Sequence, residues 1–595
     1  MPLPTADQDE RPQSFGIWVE TSPFQRLRGE GIYQLLVHIL RAGTREPNTR
    51  FVIACAAWSV ADLAKIMDEY QVQADSVDFV VSRRQAPILL RWLHAGPRGT
   101  STKRIVRIPS VLKVIGAGVA EFVLRRTAAV LSSSYWWALA LGVALWLLPL
   151  TAAIAPLVLV VLPLWILRET IMVAIGYRDR ISGRFGLRHL PKLTKPIGHR
   201  LRLAWRRGGD AIINRMIRHE YDLLTRAILR RKDVVAWFIP SQSSHGPDAS
   251  NVPLVVALPD VVYADFPAAF TSHGVREIQL RIRRLVHRAA AVIAYNEDVR
   301  QRHVIRHLKV APSKTHVVRH APMSVQMYLP PDLRRGNDAE TRMALADIIR
   351  RHFQTSGTRL IGNGRSDANY LKEFPFEQVR YLFVSSQIRP HKNLANLISA
   401  FDYLLRQRYL PLKLFTTGDL SHANQDVRDL IATRHLDLDV IGVPNLPAVV
   451  HAAFYRLAEL TVVPTLFEGG LPFPFSESLS VGTPVVLSRI PAVCEALPRH
   501  LWPLALFDPY DTKSIADRIE WGLEHREILL VAETDEYASM TKRTWSHVAG
   551  EYLAVLRQTA DSHAAFRPIS RPHWGSQSWQ YARAFRPNST SKPGN

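Results

Sequence analysis

Pro464-Thr-Leu-Phe-Glu-Gly-Gly-Leu-Pro-Phe-Pro-Phe-Ser-Glu-Ser-Leu-Ser-Val-Gly-Thr-Pro-Val-Val486 decides the fold of this chain. Two carboxylates, Glu468 and Glu477, flank a Gly/Pro loop. Strand-like apolar runs bracket it, Leu460–Val463 before and Pro484–Leu487 after. Ser476–Val481 reads as a short helix whose N-terminus faces the loop. In an open α/β sheet, ligands bind where loops leave the carboxyl ends of strands, and the unpaired N–H groups of a helix N-terminus favour anions. The layout suits a nucleotide-sugar diphosphate, with the carboxylates accepting hydrogen bonds from sugar hydroxyls. The alternative is an acidic surface turn between a strand and a helix.

Working outward, strands and helices alternate, which predicts parallel sheets. A first series opens at Phe15–Glu20 and passes through the loop Arg28-Gly-Glu-Gly31 into a helix from Ile32 to about Arg41. It continues with strands at Phe51–Cys55 and Val77–Val81 and a helix at Val60–Glu69 between them. The pattern stops, then resumes at Asp233–Ile239, Pro253–Asp260, Ala290–Tyr295 and Thr315–Arg319. A second series runs through Arg380–Ser386, Leu412–Gly418, Asp439–Gly442 and the opening stretch. The expected domains are therefore 15–335, interrupted by an insertion at 95–232, and 378–560. A linker at 336–377 carries a helix near Glu340–Arg351, and a Ser/Pro/Arg/Asn-rich tail at 561–595 is expected to be disordered.

The centre of the insertion carries no charge between Arg126 and Arg168, a run of 41 positions. One membrane helix takes about 20 residues, so this run suffices for about two. Pro149 and Pro156 bracket a plausible turn, and Trp136, Trp137 and Trp165 lie towards the ends, where interfacial aromatics belong. Strands before and after the insertion share one sheet, so both ends must lie on one side of a membrane. An apolar hairpin at 127–175 satisfies this, either crossing the bilayer or dipping into one leaflet. The alternative is a buried helical hairpin in a soluble core.

The formal charge of +23 calls for an anionic partner, nucleic acid or membrane. Seventeen Lys/Arg against five Asp/Glu fall between Arg168 and Lys232, directly after the apolar run. A basic block in that place reads as contact with an anionic membrane surface on the cytoplasmic side. No zinc-finger spacing or ribonucleoprotein motif occurs, so no nucleic-acid partner is expected. Two cysteines, Cys55 and Cys494, give no disulfide framework and agree with a reducing compartment. The polar, acidic N-terminus lacks the regions of a secretory signal.

These residues resemble the retaining glycosyltransferases of family 4, which have the GT-B fold of two Rossmann-like domains facing a cleft. That family carries two glutamates separated by seven residues, then a small-residue helix and Gly-Thr-Pro-Val-Val. Here eight residues separate Glu468 from Glu477, and the register from Glu477 to Gly482-Thr483-Pro484 places the extra one before Glu477. The resemblance implies that Glu477 holds the ribose hydroxyls and Glu468 contacts the donor sugar, with Gly469 and Gly470 offering N–H groups near the phosphates. Ser385-Ser-Gln-Ile-Arg-Pro-His-Lys-Asn393 is similar to the segment whose Arg and Lys bind the donor diphosphate. Lys392 aligns directly; Gln387 occupies the usual Arg position, and Arg389 is displaced by two residues. Fixed cations there stabilise the charge of the leaving diphosphate without a metal.

The same resemblance makes Gly418, at the end of Thr416-Thr-Gly418, part of the nucleotide loop and lets Val443–Leu446 line the base pocket. Gly29-Glu30-Gly31 resembles the glycine loop approaching phosphates and acceptor. Asp260 belongs to a strand end where Pro259 stands in place of the family's histidine. Asn296-Glu297 matches a Ser-Glu of the family, or simply caps a helix. The family retains anomeric configuration, and the leaving phosphate is proposed to take the acceptor proton, so no general base is named.

The expectation is a membrane-associated retaining glycosyltransferase on the cytoplasmic side of the inner membrane. It would move sugar from a nucleoside-diphosphate sugar to a glycan or lipid-linked acceptor in cell-surface polysaccharide synthesis, with no other cofactor and no metal. The alternatives are an enzyme merely tethered by the hairpin and a catalytically silent scaffold of a polysaccharide assembly complex.

Overall fold

The computed structural model describes residues 13–23, 31–95, 116–150, 152, 212–247, 252–269, 272–334, 336, 338–356 and 370–565. Among these described residues thirteen strands form two all-parallel sheets. The first contains β1 (Gln13–Val19), β2 (Thr49–Cys55), β3 (Val77–Val81), β4 (Val234–Ile239), β5 (Leu254–Ala257), β6 (Ala291–Ala294) and β7 (Thr315–Val317), in the order β3-β2-β1-β4-β5-β6-β7. The second contains β8 (Tyr381–Val384), β9 (Lys413–Thr416), β10 (Val440–Gly442), β11 (Leu460–Val463), β12 (Val485–Ser488) and β13 (Leu506–Phe507), in the order β10-β9-β8-β11-β12-β13. The central strands are short apolar runs such as Leu254-Val-Val-Ala257 and Leu460-Thr-Val-Val463, buried throughout. Helices cover both faces of such strands, which is why they show no polar alternation.

In each sheet the chain builds outward one way and then reverses. The reversal falls between β1 and β4 in the first sheet and between β8 and β11 in the second. Adjacent loops part there, so a crevice opens at the carboxyl ends of those strands. The loops after β5, β6 and β11 meet across the resulting cleft, as described below.

Several segments differ from expectation. The helix beside the opening loop is Phe473–Leu479, starting before Ser476, because Pro474 sits in its first turn, where the missing N–H costs nothing. Helix Trp545–Ala565 begins in the expected second domain and ends in the expected tail, yet it packs on the first sheet. Val548, Ala549, Tyr552, Leu553 and Leu556 form its apolar stripe, each 3% exposed or less. Burying each large side chain of this stripe stabilises by about 1.5–3 kcal/mol, enough to anchor the helix across the two halves. Residues 566–595 lie outside the described residues. Helix Ala339–Ser356, in the expected linker, packs on the second sheet through Leu345, Ile349 and Phe353.

Of the expected hairpin at 127–175, residues 151 and 153–175 lie outside the described residues. Its first arm is broken. Helix Gly116–Leu131 stops, and after Ser132–Tyr135 a helix begins at Trp136–Gly142 and continues as a π-helical turn, Val143–Leu147. The two fold back on each other, with Gly142 against Val130 and Trp146 Nε1 donating to Thr127 Oγ1 at 3.2 Å. The break is pinned to the loop after β3: Ser134 Oγ donates to Gln85 O at 2.9 Å and Ile88 N to Ser133 O at 3.0 Å. Trp136, Trp137, Leu141, Leu145 and Leu148 are 51–72% exposed. Among the described residues no helix is long and apolar enough to cross a membrane.

Candidate active site

The second sheet supplies one wall. After β8 the chain runs through Ser385–Arg389 into a 3₁₀ turn, Pro390–Lys392, ended by Asn393 in the left-handed region at φ 59°. That turn is tied to the loop after β11, where Leu466 N donates to His391 O at 2.7 Å and Thr465 Oγ1 donates to the same oxygen at 3.3 Å. The tie brings Lys392 Nζ onto Glu468 Oε1 as an ion pair, both side chains about four-fifths buried. Arg389 Nη2 donates to Gln387 Oε1 at 2.6 Å. The residue in the family's Arg position thus holds the displaced arginine.

Glu477 occupies a separate pocket. Tyr455 Oη donates to its Oε2 at 2.7 Å, and the residue is 8% exposed. Burial pushes its carboxyl up to about 7, against the pull of the Tyr455 hydrogen bond. Gly418 follows β9, and a Cβ there would stand 2.3 Å from Ile388 Cγ1, so only glycine lets this loop lie against the segment after β8. Val443 is corrected as a pocket-lining residue: its N–H donates to Thr416 O at 2.7 Å, extending the β10 pairing, and its side chain is fully buried in the core.

The first sheet closes the cleft from the other side. A Cβ on Gly469 would lie 2.0 Å from Pro259 O, so backbone meets backbone across the domains. Phe467 inserts into the core of the first domain and stacks on His303, ring centroids 5.4 Å apart. Gly470 lies against His320 and Tyr295. His320 packs edge-on to Tyr295 at 4.2 Å, and burial, with Arg543, pulls its imidazole down to about 3, so the ring is neutral. Asp260, next to Pro259, feels the charges of Glu468, Arg389 and Lys392; burial pushes its carboxyl up. The structure therefore gathers Lys392, Arg389, Glu468 and Asp260 at one place, with Gly469 and Gly470 beside them and Glu477 in its own recess.

Other expected residues fall elsewhere. Gly29 and Glu30 lie outside the described residues. Gly31 opens helix Gly31–Gly43, and a Cβ there would meet nothing within 4 Å, so close packing does not demand glycine at this position. Asn296 caps the turn leading into helix Val299–His307, its Oδ1 accepting from Val299 N at 2.6 Å, and Glu297 Oε1 accepts from Arg300 and Gln301 of that helix. Sequence reading missed Tyr455 and Glu495. The Glu495 carboxylate crosses the cleft to accept from Glu297 N at 2.9 Å, Asp298 N at 3.2 Å and Arg319 Nη2 at 2.7 Å. No local signal marks it, since its partners lie far away in the chain.

Two parallel α/β sheets with facing switch points, and charged loops between them, define a protein of GT-B architecture. Residues 368–541 match the family described as Glycosyl transferases group 1, and that segment is a glycosyltransferase group 1 domain. The chain is similar to the lipopolysaccharide 1,2-N-acetylglucosaminetransferase of Salmonella typhimurium, with 25% identity over 192 residues, 31% of this chain and 50% of that protein. It thus spans about half the length of that relative. Similar solved structures include HepE of Anabaena in complex with UDP and glucose, at 10% identity and TM-score 0.47, covering 93% of this chain and all of that one. Sucrose-phosphate synthase of Thermosynechococcus elongatus is another, at 13% identity and TM-score 0.43, covering 58% of this chain and 79% of that one.

Proposed function

We propose that this chain is a membrane-associated, retaining glycosyltransferase of the family 4 kind. It takes a nucleoside-diphosphate sugar as donor and a glycan or lipid-linked molecule as acceptor, in cell-surface polysaccharide synthesis. The observation that carries the reading is the convergence of Lys392, Arg389, Glu468 and Asp260 between the facing sheets. The group 1 domain and the name of the Salmonella relative support it.

In this reading the donor diphosphate competes for Lys392 and Arg389, the charges needed as the glycosidic bond breaks. Preorganised cations in a closed cleft are worth more than in water because their dipoles and charges need no reorganisation. Displacing Lys392 frees the Glu468 carboxylate to accept hydrogen bonds from donor-sugar hydroxyls. Glu477, positioned by the hydrogen bond from Tyr455, holds the ribose, and Gly418 lets the nucleotide loop approach. The leaving phosphate takes the acceptor proton, so no metal or protein base is invoked. Gly31 and the neighbouring Gly29-Glu30 remain candidates for the acceptor side.

Hydrolysis of a panel of UDP-, GDP- and ADP-sugars tests the enzyme reading. One donor should turn over, and Lys392→Ala or Glu468→Gln should lower the rate by about 10²–10³-fold. A silent scaffold would hydrolyse none of them. The exposed stripe of Trp136, Trp137, Leu141, Leu145 and Leu148, together with the basic excess that follows, supports contact with the cytoplasmic face of the inner membrane. Cosedimentation with vesicles containing anionic lipid tests that part; equal recovery without vesicles would reject it.

A further inference from the structure

The hydroxyl that holds Glu477 is itself held, by side chains that the donor-site reading does not use. Tyr455 and His451 lie four residues apart on helix Ala448–Leu457, so they share one face of it. That face meets the carboxyl end of β8, where Ser385 Oγ lies 2.9 Å from His451 Nε2 and also hydrogen-bonds to Tyr455 Oη. Tyr455 Oη in turn donates to Glu477 Oε2 at 2.7 Å. The four side chains thus form one polar chain, His451–Ser385–Tyr455–Glu477. The His451 ring packs on Tyr455 with centroids 4.9 Å apart and on Phe383 at 5.8 Å, contacts that fix its plane.

Proton counting gives the chain a direction. An ionised carboxylate only accepts, so Tyr455 spends its one proton on Glu477. The next bond then runs from Ser385 Oγ to Tyr455 Oη and uses the single proton of the serine. Ser385 Oγ is left with lone pairs alone for His451, so Nε2 carries the imidazole proton. Burial pulls the His451 imidazole down to about 4, so the ring is neutral and has one such proton to place. Each donor in a buried chain of this kind polarises the next. Ser385 also opens the segment that carries Arg389 and Lys392, which ties the carboxylate to the strand end that supplies the cations.

We propose that His451 and Ser385 are positioning residues that set sugar selectivity in the nucleotide: through Tyr455 they hold the Glu477 carboxylate with Oε1 turned to the ribose hydroxyls, so that the site separates ribonucleotides from deoxyribonucleotides. The assignment rests on the donor reading, in which Glu477 meets the ribose. A carboxylate whose Oε2 is already engaged gains from a ligand hydroxyl that donates to Oε1 and loses that gain when the hydroxyl is missing. Anchoring the chain at a neutral imidazole orients the carboxylate without setting a positive charge beside it, which would compete with the ribose.

Titration calorimetry on the full-length protein tests this with UDP, GDP and ADP and with their 2′-deoxy and 3′-deoxy counterparts. Wild type should bind one of the ribonucleotides about 10–100-fold more tightly than at least one of its deoxy forms, the size of one hydrogen bond to a charged group. His451→Phe and Ser385→Ala each break the chain and should bring that ratio to within about threefold, with affinity for the deoxynucleotide unchanged. His451→Gln, whose Nε2 also donates, should keep the wild-type ratio. Should His451→Phe fail to fold, Ser385→Ala carries the same comparison. An unchanged ratio in the chain-breaking variants, or equal weakening of both nucleotides, overturns the proposal. A wild type that binds a ribonucleotide without preferring it to its deoxy forms overturns the ribose role of Glu477 and the proposal with it; one that binds none of them overturns the donor reading itself. Without any ligand, nitrogen-15 NMR of histidine-labelled protein, with His451 assigned by its loss in His451→Gln, should show the Nε2–H form. An Nδ1–H form reverses the chain and overturns the proposal.

Discussion

Replacing Glu477 with glutamine removes a titration while keeping the shape of the pocket. The carboxyl sits on helix Phe473–Leu479 with Tyr455 Oη 2.7 Å from Oε2, and the glutamine carbonyl can accept that same bond. In the folded chain burial raises the carboxyl from its ordinary 4.5 to about 7. The folded state therefore holds the proton more tightly than the unfolded state. The stability this contributes is complete below about pH 4.5 and is lost as pH rises through about 7. The shift corresponds to about 3 kcal/mol. At roughly 2–4 °C per kcal/mol for a domain of this size, the melting temperature of the second domain should move by about 8 °C.

The measurement is thermal unfolding of the wild-type protein and Glu477→Gln at pH 5 and pH 8.5. Wild type should lose about 3 kcal/mol more than the variant between the two conditions, so the variant gains on it as pH rises. Nucleotide binding should respond in the opposite sense. If ribose hydroxyls donate to the carboxylate, the ionised form binds better, and wild-type affinity for the accepted nucleotide rises between pH 6 and pH 8 while that of the variant stays flat. Parallel melting curves for the two proteins across pH would refute the assignment of Glu477 as a buried carboxyl titrating near neutrality.

Gly469→Ala places a Cβ 2.0 Å from Pro259 O, so the cleft cannot close as it does here. Donor turnover should fall about 100-fold, with nucleotide affinity changed only a few-fold, as steady-state kinetics and a nucleotide titration would show. Glu495→Ala removes the carboxylate shared by Glu297 N, Asp298 N and Arg319 and should cost about 1–2 kcal/mol, visible as a lower melting temperature and a larger radius of gyration by X-ray scattering. Leu141→Ser combined with Leu145→Ser, both on the exposed stripe, should lower partitioning onto anionic vesicles at least about tenfold; unchanged partitioning would remove this helix from the membrane contact.

Much of the fold was legible because buried parallel strands must be apolar on both faces. Runs such as Phe51–Cys55 and Leu460–Val463 therefore stand out between polar loops. The strand Leu506–Phe507 did not, since two residues carry no period. Helix Trp545–Ala565 carries an apolar stripe, but nothing local in the sequence says which sheet receives it. At the candidate site, family resemblance singled out Lys392 and Glu468, and the structure pairs them. Tyr455 and Glu495 were not singled out, because each gains its place from a contact made only after folding; Glu495 reaches Glu297 across 198 positions.

The two departures from the family pattern acquire a structural meaning together. The extra residue between the glutamates leaves each of them held by its own support. Glu468 is held from the end of β11 by Lys392, and Glu477 from its helix by Tyr455, so the two need not keep a fixed separation in sequence. Pro259 replaces a side chain with a backbone carbonyl that abuts Gly469, and the imidazole in this part of the cleft comes instead from His320, which packs against Gly470. That ring is neutral at any physiological pH, so it can stack or share one proton but cannot supply positive charge to a leaving group. Charge at this end of the cleft must then come from Lys392 and Arg389. Substitution of His320 by a neutral ring of similar size should therefore disturb closure before it disturbs the stabilisation of a leaving diphosphate.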